Sequence, residues 1–347
     1  MIPPSDFNDH SSTKRQHESS TQQMSQTEIL RAEGHFEGDL PVGEIPRAGG
    51  ELFFQSWTSK FAHTTLVLTH GIAEHSDAYA RTAEALIPMG YEIYAMDLRG
   101  HGRSEGRRGY IDDFGRFSRD LEKFITYLQN PHHGPLKNSR KPIVMIGHSM
   151  GALITLRLLV EWGPLAPVHA CVLSSPAMGI SMPVPALKEL AAKALLKWLP
   201  QVTLPNDIKY EHLTHDESLW SKYPSDPLRH DKISPAMYFG MLEAMETVRL
   251  GAGRIQLPIL MQLAGDERIV SRPDSEALYA CLGSLKKELR IYEKSYHEIY
   301  NDFDRDQAFQ DLDGFLVSTL KKQDQAPSET PRSQASVSPQ SGKGSNT

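Results

Sequence analysis

The chain alternates short apolar runs with segments in which apolar residues recur at helical spacing. Six runs have the length and composition of buried β-strands, at residues 66–68, 93–95, 143–146, 171–173, 259–261 and 289–292. Helical spacing occurs between or after them, in Phe117, Leu121, Phe124 and Leu128 and again in Ala308, Leu312, Phe315 and Leu320. This alternation predicts an α/β fold, with a mostly parallel sheet covered by helices on both faces.

Three segments depart from this alternation. Residues 1–28 and 323–347 are polar and carry few large apolar side chains, so burial cannot offset the entropy of ordering them, and we predict two disordered tails. Residues 29–322 are the predicted folded domain. Within it, residues 176–255 contain an amphipathic helical stripe followed by proline-rich loops, which predicts a helical cap inserted over the sheet edge; the stripe consists of Leu187, Leu190, Ala194, Leu195 and Trp198.

The composition excludes several classes of protein. A net charge of −6 over 347 residues gives no basic surface of the kind that binds nucleic acid. Two cysteines, Cys171 and Cys281, do not suggest a disulfide framework and are predicted to be buried free thiols. Neither a secretory signal nor an apolar stretch of membrane-spanning length is present in the sequence, so we expect a cytoplasmic protein, with transient membrane contact through the cap as a further hypothesis.

The segment Gly147-His148-Ser149-Met150-Gly151 has the G-x-S-x-G pattern of a nucleophile elbow. A serine hydroxyl attacks a carbonyl only when a neighbouring base takes its proton, and this sharp turn between a strand and a helix exposes the hydroxyl. A predicted strand precedes the motif and a predicted helix follows it, so Ser149 is the candidate nucleophile. The backbone N–H groups of Met150 and of Ile72, in the loop after an earlier strand, are the candidate oxyanion-hole donors.

The chain order of this class of active site is serine, then acid, then histidine. His297 follows the last predicted strand and is therefore the candidate base, whereas His132, His133, His212, His215 and His230 are interpreted as solvated loop side chains. The acid is expected just after the strand that contains residues 259–261, where Asp266 and Glu267 are adjacent. Spacing alone leaves both carboxylates open as candidates.

These residues together resemble the monoacylglycerol lipase and lysophospholipase branch of the α/β hydrolases. The matching segments are residues 70–76, residues 97–106, the serine motif, Asp226-Pro227 and Tyr296-His297, and the likeness extends from about residue 34 to residue 320. The resemblance implies the α/β-hydrolase fold with an inserted helical cap. It also implies hydrolysis of a lipid ester, monoacylglycerol or lysophospholipid, through an acyl-enzyme on Ser149.

The resemblance implies further residue roles. The family's acid is followed by arginine and two apolar residues, which places it on Glu267 and leaves Asp266 as the rival. Glu74 matches a glutamate that helps to bind the polar head of the substrate. The chain departs from the mammalian lipase pattern at Ala78 and Tyr300, where that lipase has arginine and histidine, so a strict preference for monoacylglycerol is not implied.

The sequence contains no motif for binding a dinucleotide, a nucleotide phosphate or zinc. Gly100, Gly102 and Gly106 do not complete a dinucleotide-binding pattern, and neither a phosphate-binding loop nor a zinc motif occurs, so no metal or cofactor is predicted. The alternative hypotheses keep the same triad in a broad carboxylesterase, an aminopeptidase-type hydrolase or an acyltransferase. A non-catalytic binding protein is a further alternative, and the sequence predicts no oligomeric state.

Overall fold

The structure is a computed structural model that describes residues 28–39, 50–181 and 186–323. Its strands in this part of the chain are β1 (Leu30–Glu37), β2 (Glu51–Thr58), β3 (Thr64–Thr69), β4 (Tyr91–Met96), β5 (Ile143–His148), β6 (Ala170–Ser174), β7 (Leu204–Pro205), β8 (Lys232–Ile233), β9 (Ile259–Ala264) and β10 (Lys287–Tyr292). Its α-helices are α1 (Ala80–Leu86), α2 (Gly115–Leu128), α3 (Met150–Trp162), α4 (Ala186–Trp198), α5 (Glu217–Trp220), α6 (Pro235–Gly251), α7 (Arg272–Cys281) and α8 (Arg305–Gln323).

Eight of these strands form one sheet in the order β1-β2-β4-β3-β5-β6-β9-β10. The pairs β1–β2 and β2–β4 are antiparallel, and all the pairs from β4 to β10 are parallel. The six predicted strands are all present, and the predicted mostly parallel sheet is confirmed. The carboxyl ends of β3, β5, β9 and β10 therefore meet at one edge of the sheet, where a catalytic site can be assembled.

Side chains of the central strands alternate between two apolar layers. Val67 and Met145 pack in the layer that includes α2, α3 and α6. Leu66, Val144 and Ile146 point to the opposite layer, which includes α1 and α8. Both faces of the sheet are therefore covered by helices, as the near-continuous apolar runs of the strands require.

The sequence reasoning missed β1 and β2. β1 is a largely exposed edge strand with the sequence LRAEGHFE, so it lacks the apolar run of a buried strand. β2 is buried, but Gln55 and Ser56 interrupt its apolar run. Gln55 is tolerated there because its Nε2 donates to Ser76 Oγ at 2.8 Å, and a buried polar side chain needs such a partner.

Between β6 and β9, which pair directly with each other, residues 175–181 and 186–258 lie outside the sheet. This segment contains α4, α5 and α6 and the short antiparallel pair β7–β8. α6 packs against both α3 and α4, so it connects the inserted segment to the layer that covers the sheet. The assignment of residues 176–255 as one cap stays a prediction.

Helix α4 presents apolar side chains to solvent. Leu190 is 65% exposed and Trp198 is 74% exposed, while the side chain of Leu187 lies outside the described residues, as do residues 1–27 and 324–347 of the predicted tails. No helix within the described ranges is both long and apolar enough to cross a membrane. Cys171 and Cys281 are both free, and the prediction of a buried thiol is wrong for Cys281, which is the exposed last residue of α7.

Candidate active site

Ser149 occupies a strained turn between β5 and α3. Its backbone dihedrals are φ 53° and ψ −119°, a left-handed conformation that non-glycine residues rarely adopt. The Ser149 N–H donates to the carbonyl oxygen of Ser174 at 2.9 Å, and its own carbonyl accepts from the N–H groups of Ala152 and Leu153. These bonds hold the strained residue at the carboxyl end of β5.

The glycines on either side of Ser149 make the turn sterically feasible. A Cβ atom on Gly147 would lie 2.6 Å from the Cα atom of Ala152, and one on Gly151 would overlap the carbonyl oxygen of Thr69. Any side chain at either position would therefore push α3 away from β3 and β5. The two glycines of the motif are needed for close packing, and Ser149 carries the strain between them.

His297 lies in the loop after β10 and contacts only one of the two predicted acids. Glu267 Oε2 accepts a hydrogen bond from His297 Nδ1 at 2.9 Å, and Glu267 Oε1 accepts from the N–H groups of Ile269 and Val270 at 2.8 and 3.2 Å. The Glu267 side chain is 4% exposed. Asp266 is 50% exposed and pairs with Arg268 at 2.8 Å instead. This geometry supports Glu267 as the acid.

The pair also has the electrostatics of a base and its orienting acid. Burial alone would raise the pKa of Glu267, but the charge and hydrogen bond of His297 and two backbone N–H groups lower it. Burial likewise opposes the charge of His297, whereas Glu267 raises the pKa of the imidazole. Because ionised Glu267 accepts the proton on Nδ1, the other ring nitrogen, Nε2, is left as the proton acceptor.

The loop after β3 approaches the nucleophile closely. A Cβ atom on Gly71 would lie 3.1 Å from the Cβ atom of Ser149. His70 fixes this loop, since its Nδ1 donates to the Gly71 carbonyl at 2.7 Å and its Nε2 accepts from the Leu98 N–H at 2.9 Å. Ile72 follows directly, and Met150 is the first residue of α3, where N–H groups have no partner within the helix. The roles of Ile72 and Met150 in an oxyanion hole stay a prediction that this geometry supports.

Ser149 lies between two cavities that differ in size and in the polarity of their linings. The first has a volume of about 290 Å³ and is lined mainly by apolar side chains of the sheet edge, α4 and α6, among them Ile180, Met241 and Met245; we call it the apolar cavity. The second is smaller and includes Ser149, His297, Glu74, Arg229 and Glu298 in its wall; we call it the polar cavity. Ser149 and Ile72 line both cavities.

Glu74 is buried at the polar cavity and ties its loop together. Its Oε1 accepts from the Gly71 N–H and from Tyr79 Oη, the latter at 2.7 Å, while Oε2 lies 3.7 Å from Arg229 Nη2. Burial opposes its ionisation, but His148 and Arg229 outweigh burial and lower the pKa of Glu74 to about 2. Glu74 is therefore ionised at neutral pH, and its predicted contact with a substrate head group remains untested.

Arg229 and Glu298 were missed by the sequence reasoning. The Arg229 guanidinium stacks 3.7 Å from the ring centroid of Tyr223, and its contacts with Glu74 and Asp226, at 3.7 and 3.9 Å, are too long for hydrogen bonds. Glu298 Oε2 accepts from Tyr223 Oη at 2.8 Å, and burial raises the pKa of Glu298. Two features of the sequence could have indicated them: Arg229 lies just after the Asp226-Pro227 pair, and Glu298 follows His297.

The prediction of a solvated side chain is wrong for His230, whereas His215 is half-buried, with 28% of its side chain exposed. His230 is buried, and burial lowers its pKa to about 4. The His215 ring stacks on the rings of Tyr296 and Phe303, which belong to the loop of residues 296–303 that carries His297; we call it the catalytic loop. His148 is also buried, 4.8 Å from His297 between ring centroids, and burial together with His297 lowers the pKa of His148 to about 4. The polar residues next to these histidines in the sequence gave no indication that the fold buries their rings fully or in part.

A family model described as "Serine aminopeptidase, S33" (Hydrolase_4) matches residues 61–304, more than two thirds of the chain. The chain belongs to this family. The matched range includes Ser149, Glu267 and His297, and membership confirms the predicted α/β-hydrolase fold. Within the described residues of this S33 family member, no cluster of three or more His, Cys, Asp or Glu residues could hold a metal ion.

Several proteins similar to this S33 family member are named as lipid hydrolases or have solved structures. It is 27% identical over 276 residues to a monoacylglycerol lipase of Mycolicibacterium smegmatis, covering 78% of this chain and 95% of that protein. It is 25% identical over 258 residues to the phospholipase YtpA of Bacillus subtilis, covering 73% and 95%. The crystal structure of the Paleococcus ferrophilus monoacylglycerol lipase matches with a TM-score of 0.66 at 27% identity, covering 77% and 99%.

Not all relatives are of the same length as this chain. The uncharacterized protein YnbC of Escherichia coli is 29% identical over 270 residues, which is 76% of this chain but 44% of YnbC. The matched region is therefore a hydrolase domain that also occurs within longer proteins.

Proposed function

We propose that this chain hydrolyses monoacylglycerols, releasing a fatty acid and glycerol through an acyl-enzyme on Ser149. The predicted enzyme class, a carboxylic ester hydrolase acting on lipids, is confirmed by the lipases and the phospholipase among the relatives. The finer assignment rests on one observation. Ser149 lies where an apolar cavity meets a polar cavity, as an ester between an acyl chain and a polyol requires.

The proposed chemistry uses the residues in a fixed order. Ser149 Oγ attacks the ester carbonyl as His297 Nε2 takes its proton, and the N–H groups of Ile72 and Met150 stabilise the oxyanion. His297 then gives this proton to the leaving alkoxide, so glycerol departs and the acyl group stays on Ser149. Water then attacks the acyl-enzyme while His297 takes its proton, and His297 returns this proton to Ser149 Oγ as the fatty acid is released. Glu267 holds the imidazole in the required tautomer throughout.

The acyl chain belongs in the apolar cavity. Ile180, Met241 and Met245 offer apolar surface, and burying a chain there gains roughly 0.8 kcal/mol per methylene group. The thioether side chains of the two methionines are flexible, which suits chains of differing shape. We therefore expect activity on long acyl chains.

The leaving alcohol belongs in the polar cavity. Arg229 offers N–H donors, whereas Glu74 and Glu298 offer acceptors, and each hydroxyl group of glycerol both donates and accepts hydrogen bonds. A phosphate group only accepts and is negatively charged, so its attraction to Arg229 is offset by repulsion from the Glu74 carboxylate. This charge arrangement favours a neutral polyol over the head group of a lysophospholipid.

We also propose that α4 brings the enzyme to lipid surfaces. Leu190 and Trp198 are exposed on α4, and Leu204 is exposed in the wall of the apolar cavity. Lys193 and Lys197 of the same helix would contact anionic head groups. The same helix contributes Glu189 and Ala192 to the wall of the apolar cavity. A substrate leaving the lipid phase would thus enter next to its acyl site.

The decisive experiment compares hydrolysis of a monoacylglycerol, a lysophosphatidylcholine of the same acyl chain and a p-nitrophenyl ester. We expect the monoacylglycerol to have the highest kcat/KM. Arg229→Met should lower kcat/KM for the monoacylglycerol by roughly 10- to 100-fold, the loss of one charged hydrogen bond, and affect the p-nitrophenyl ester little because its leaving group carries no hydroxyl. Arg140→Met, an exposed loop variant, is the matched control. Equal losses on both esters would contradict the assigned alcohol site.

Two alternative functions have specific support. The similarity to the B. subtilis phospholipase supports a phospholipid ester as the substrate, and faster turnover of lysophosphatidylcholine than of the monoacylglycerol would favour this alternative. The family description favours an aminopeptidase, in which Glu74 and Glu298 would bind the amino group of a peptide. Aminoacyl p-nitroanilides test that function, and the positive charge of Arg229 in the same cavity argues against it. Labelling of Ser149 by a fluorophosphonate, lost in Ser149→Ala, separates all of these enzymes from a non-catalytic protein.

A further inference from the structure

The inserted segment contacts the catalytic loop at a second place, which borders the polar cavity through Leu213 and Glu298. Residues 213–215 lie against the loop of residues 296–303, which carries His297. The Glu298 N–H donates to the Leu213 carbonyl at 2.7 Å, and Thr214 Oγ1 donates to the Asn301 carbonyl at 2.7 Å. These bonds fasten the loop on the carboxyl side of His297.

Asp302 fastens the same loop on the amino side of His297. Its side chain is fully buried and accepts the N–H groups of Tyr296, at 2.8 Å, and of Phe303, at 2.8 Å. It also accepts from His215 Nδ1 at 2.9 and 3.0 Å and from the His215 N–H at 3.3 Å. One residue of the inserted segment thereby supplies two of the donors that a buried carboxylate requires.

The ring of His215 belongs to a stack that includes the sequence neighbours of both His297 and Glu267. Its centroid lies 3.6 Å from that of Tyr296 and 4.5 Å from that of Phe303, with interplanar angles of 29° and 28°. The Arg268 guanidinium lies 3.9 Å from the Tyr296 centroid. Tyr296 precedes the catalytic histidine, and Arg268 follows the acid.

We propose that His215 is a positioning residue for His297: its hydrogen bonds to Asp302 and its stacking on Tyr296 hold the imidazole in register with Glu267. We call His215, Asp302, Tyr296, Phe303 and Arg268 the clasp. Because both edges of the catalytic loop are bound to residues 213–215, the inserted segment is part of what orients the base. This proposal rests on the proposed function only for the choice of ester substrate.

The variants separate the two interactions of His215. His215→Ala removes both the ring and the donor, His215→Phe keeps only the stacking, and His215→Arg keeps a planar group that stacks and donates to a carboxylate. His132→Ala removes an exposed loop histidine and is the matched control. Every rate is divided by the concentration of enzyme that a fluorophosphonate labels, so that unfolded protein does not count.

The expected result is a loss of kcat without a matching change in KM. His215→Ala should lower kcat on the order of 10- to 100-fold, because small misplacements of a catalytic group are costly, while KM changes less than about threefold. His215→Phe should be intermediate and His215→Arg close to the wild type. His132→Ala should have no effect.

The pH profile gives a readout that a merely structural role would not move. Glu267 raises the pKa of His297 against burial, and His148, Glu298 and Glu74 also face this ring. Loosening the contact with Glu267 should shift the acidic limb of the profile of kcat/KM towards lower pH in His215→Ala. An unchanged kcat and an unchanged limb in both His215→Ala and His215→Phe would overturn the proposal.

The rate constant for fluorophosphonate labelling distinguishes this proposal from the proposed function. Labelling depends on activation of Ser149 by His297 and requires no lipid substrate. If the wild type is labelled but hydrolyses no monoacylglycerol, the proposed function fails, while slower labelling of His215→Ala still supports the clasp. If the monoacylglycerol is hydrolysed and His215→Ala is labelled at the wild-type rate, only the clasp fails.

Discussion

Replacing the acid of the triad by its amide tests the assignment of Glu267 most directly. In Glu267→Gln one of the two oxygens that now accept hydrogen bonds becomes an NH₂ group. If the amide oxygen stays with the N–H groups of Ile269 and Val270, the NH₂ group faces His297 Nδ1. Nδ1 must then lose its proton to accept a hydrogen bond, and the proton resides on Nε2, which can no longer activate Ser149.

The opposite orientation of the amide would restore the tautomer at a higher cost. The NH₂ group would then face two backbone N–H donors, and leaving both without an acceptor costs roughly 2 to 6 kcal/mol. The first orientation therefore dominates. We expect kcat to fall by about 10⁴-fold, the loss typical of a triad whose acid becomes an amide, which corresponds to about 5 kcal/mol of barrier.

Asp266→Asn is the matched control, because it makes the same chemical change one residue away. Its carboxylate is half exposed and pairs with Arg268 at the surface, and such pairs contribute at most about 1 kcal/mol. We expect kcat to change by less than about threefold. Both variants are assayed by kcat on a p-nitrophenyl ester and by thermal unfolding, which shows that each is folded. A larger loss of kcat in Asp266→Asn than in Glu267→Gln would refute the assignment.

Three further predictions concern the turn, the apolar cavity and one buried histidine. Gly151→Ala places a methyl group on the Thr69 carbonyl and should cost roughly 3 kcal/mol of stability in urea unfolding; an unchanged midpoint would be inconsistent with this packing. Met241→Trp fills the apolar cavity, so the ratio of kcat/KM for a palmitoyl over a butyryl ester should fall at least about tenfold; an unchanged ratio would place the acyl chain elsewhere. His230 has its pKa lowered from 6.5 to about 4, so its contribution to stability is complete above pH 6.5 and is lost as the pH falls towards 4. His230→Gln should therefore reduce the loss of unfolding free energy between pH 7 and pH 5 by about 2 kcal/mol, and equal losses in both proteins would argue against a buried neutral ring.

Local pattern predicted the central strands and the position of the nucleophile because both are encoded over a few residues. The apolar runs of β3, β5 and β9 and the glycines beside Ser149 reflect packing constraints that any sequence with this turn must meet. β1 escaped prediction because an edge strand can be polar on its exposed face, and its identity comes from pairing with β2. The predicted features are determined by constraints within one element, whereas β1 is determined by its pairing with another element.

The polar part of the site could not be predicted for the same reason. Arg229, Glu298 and His215 come from polar segments. Their sequence neighbours draw attention to Arg229 and Glu298 but do not show whether a polar side chain is buried or solvated. Only the fold brings Arg229 from the inserted segment to Glu74 in the loop after β3. The adjacent carboxylates Asp266 and Glu267 also needed the fold, because a turn after β9 directs one inwards and the other to solvent.

The direct pairing of β6 with β9 has a consequence for protein engineering. Since the segment between them begins and ends on neighbouring strands, it can be exchanged as a unit between homologous hydrolases without altering the order of the sheet. A chimera made in this way would inherit the acyl specificity of its donor. It would also lose its own His215. A graft that places no ring or guanidinium against Asp302 would therefore yield a folded enzyme with an intact apolar cavity and a misoriented catalytic histidine.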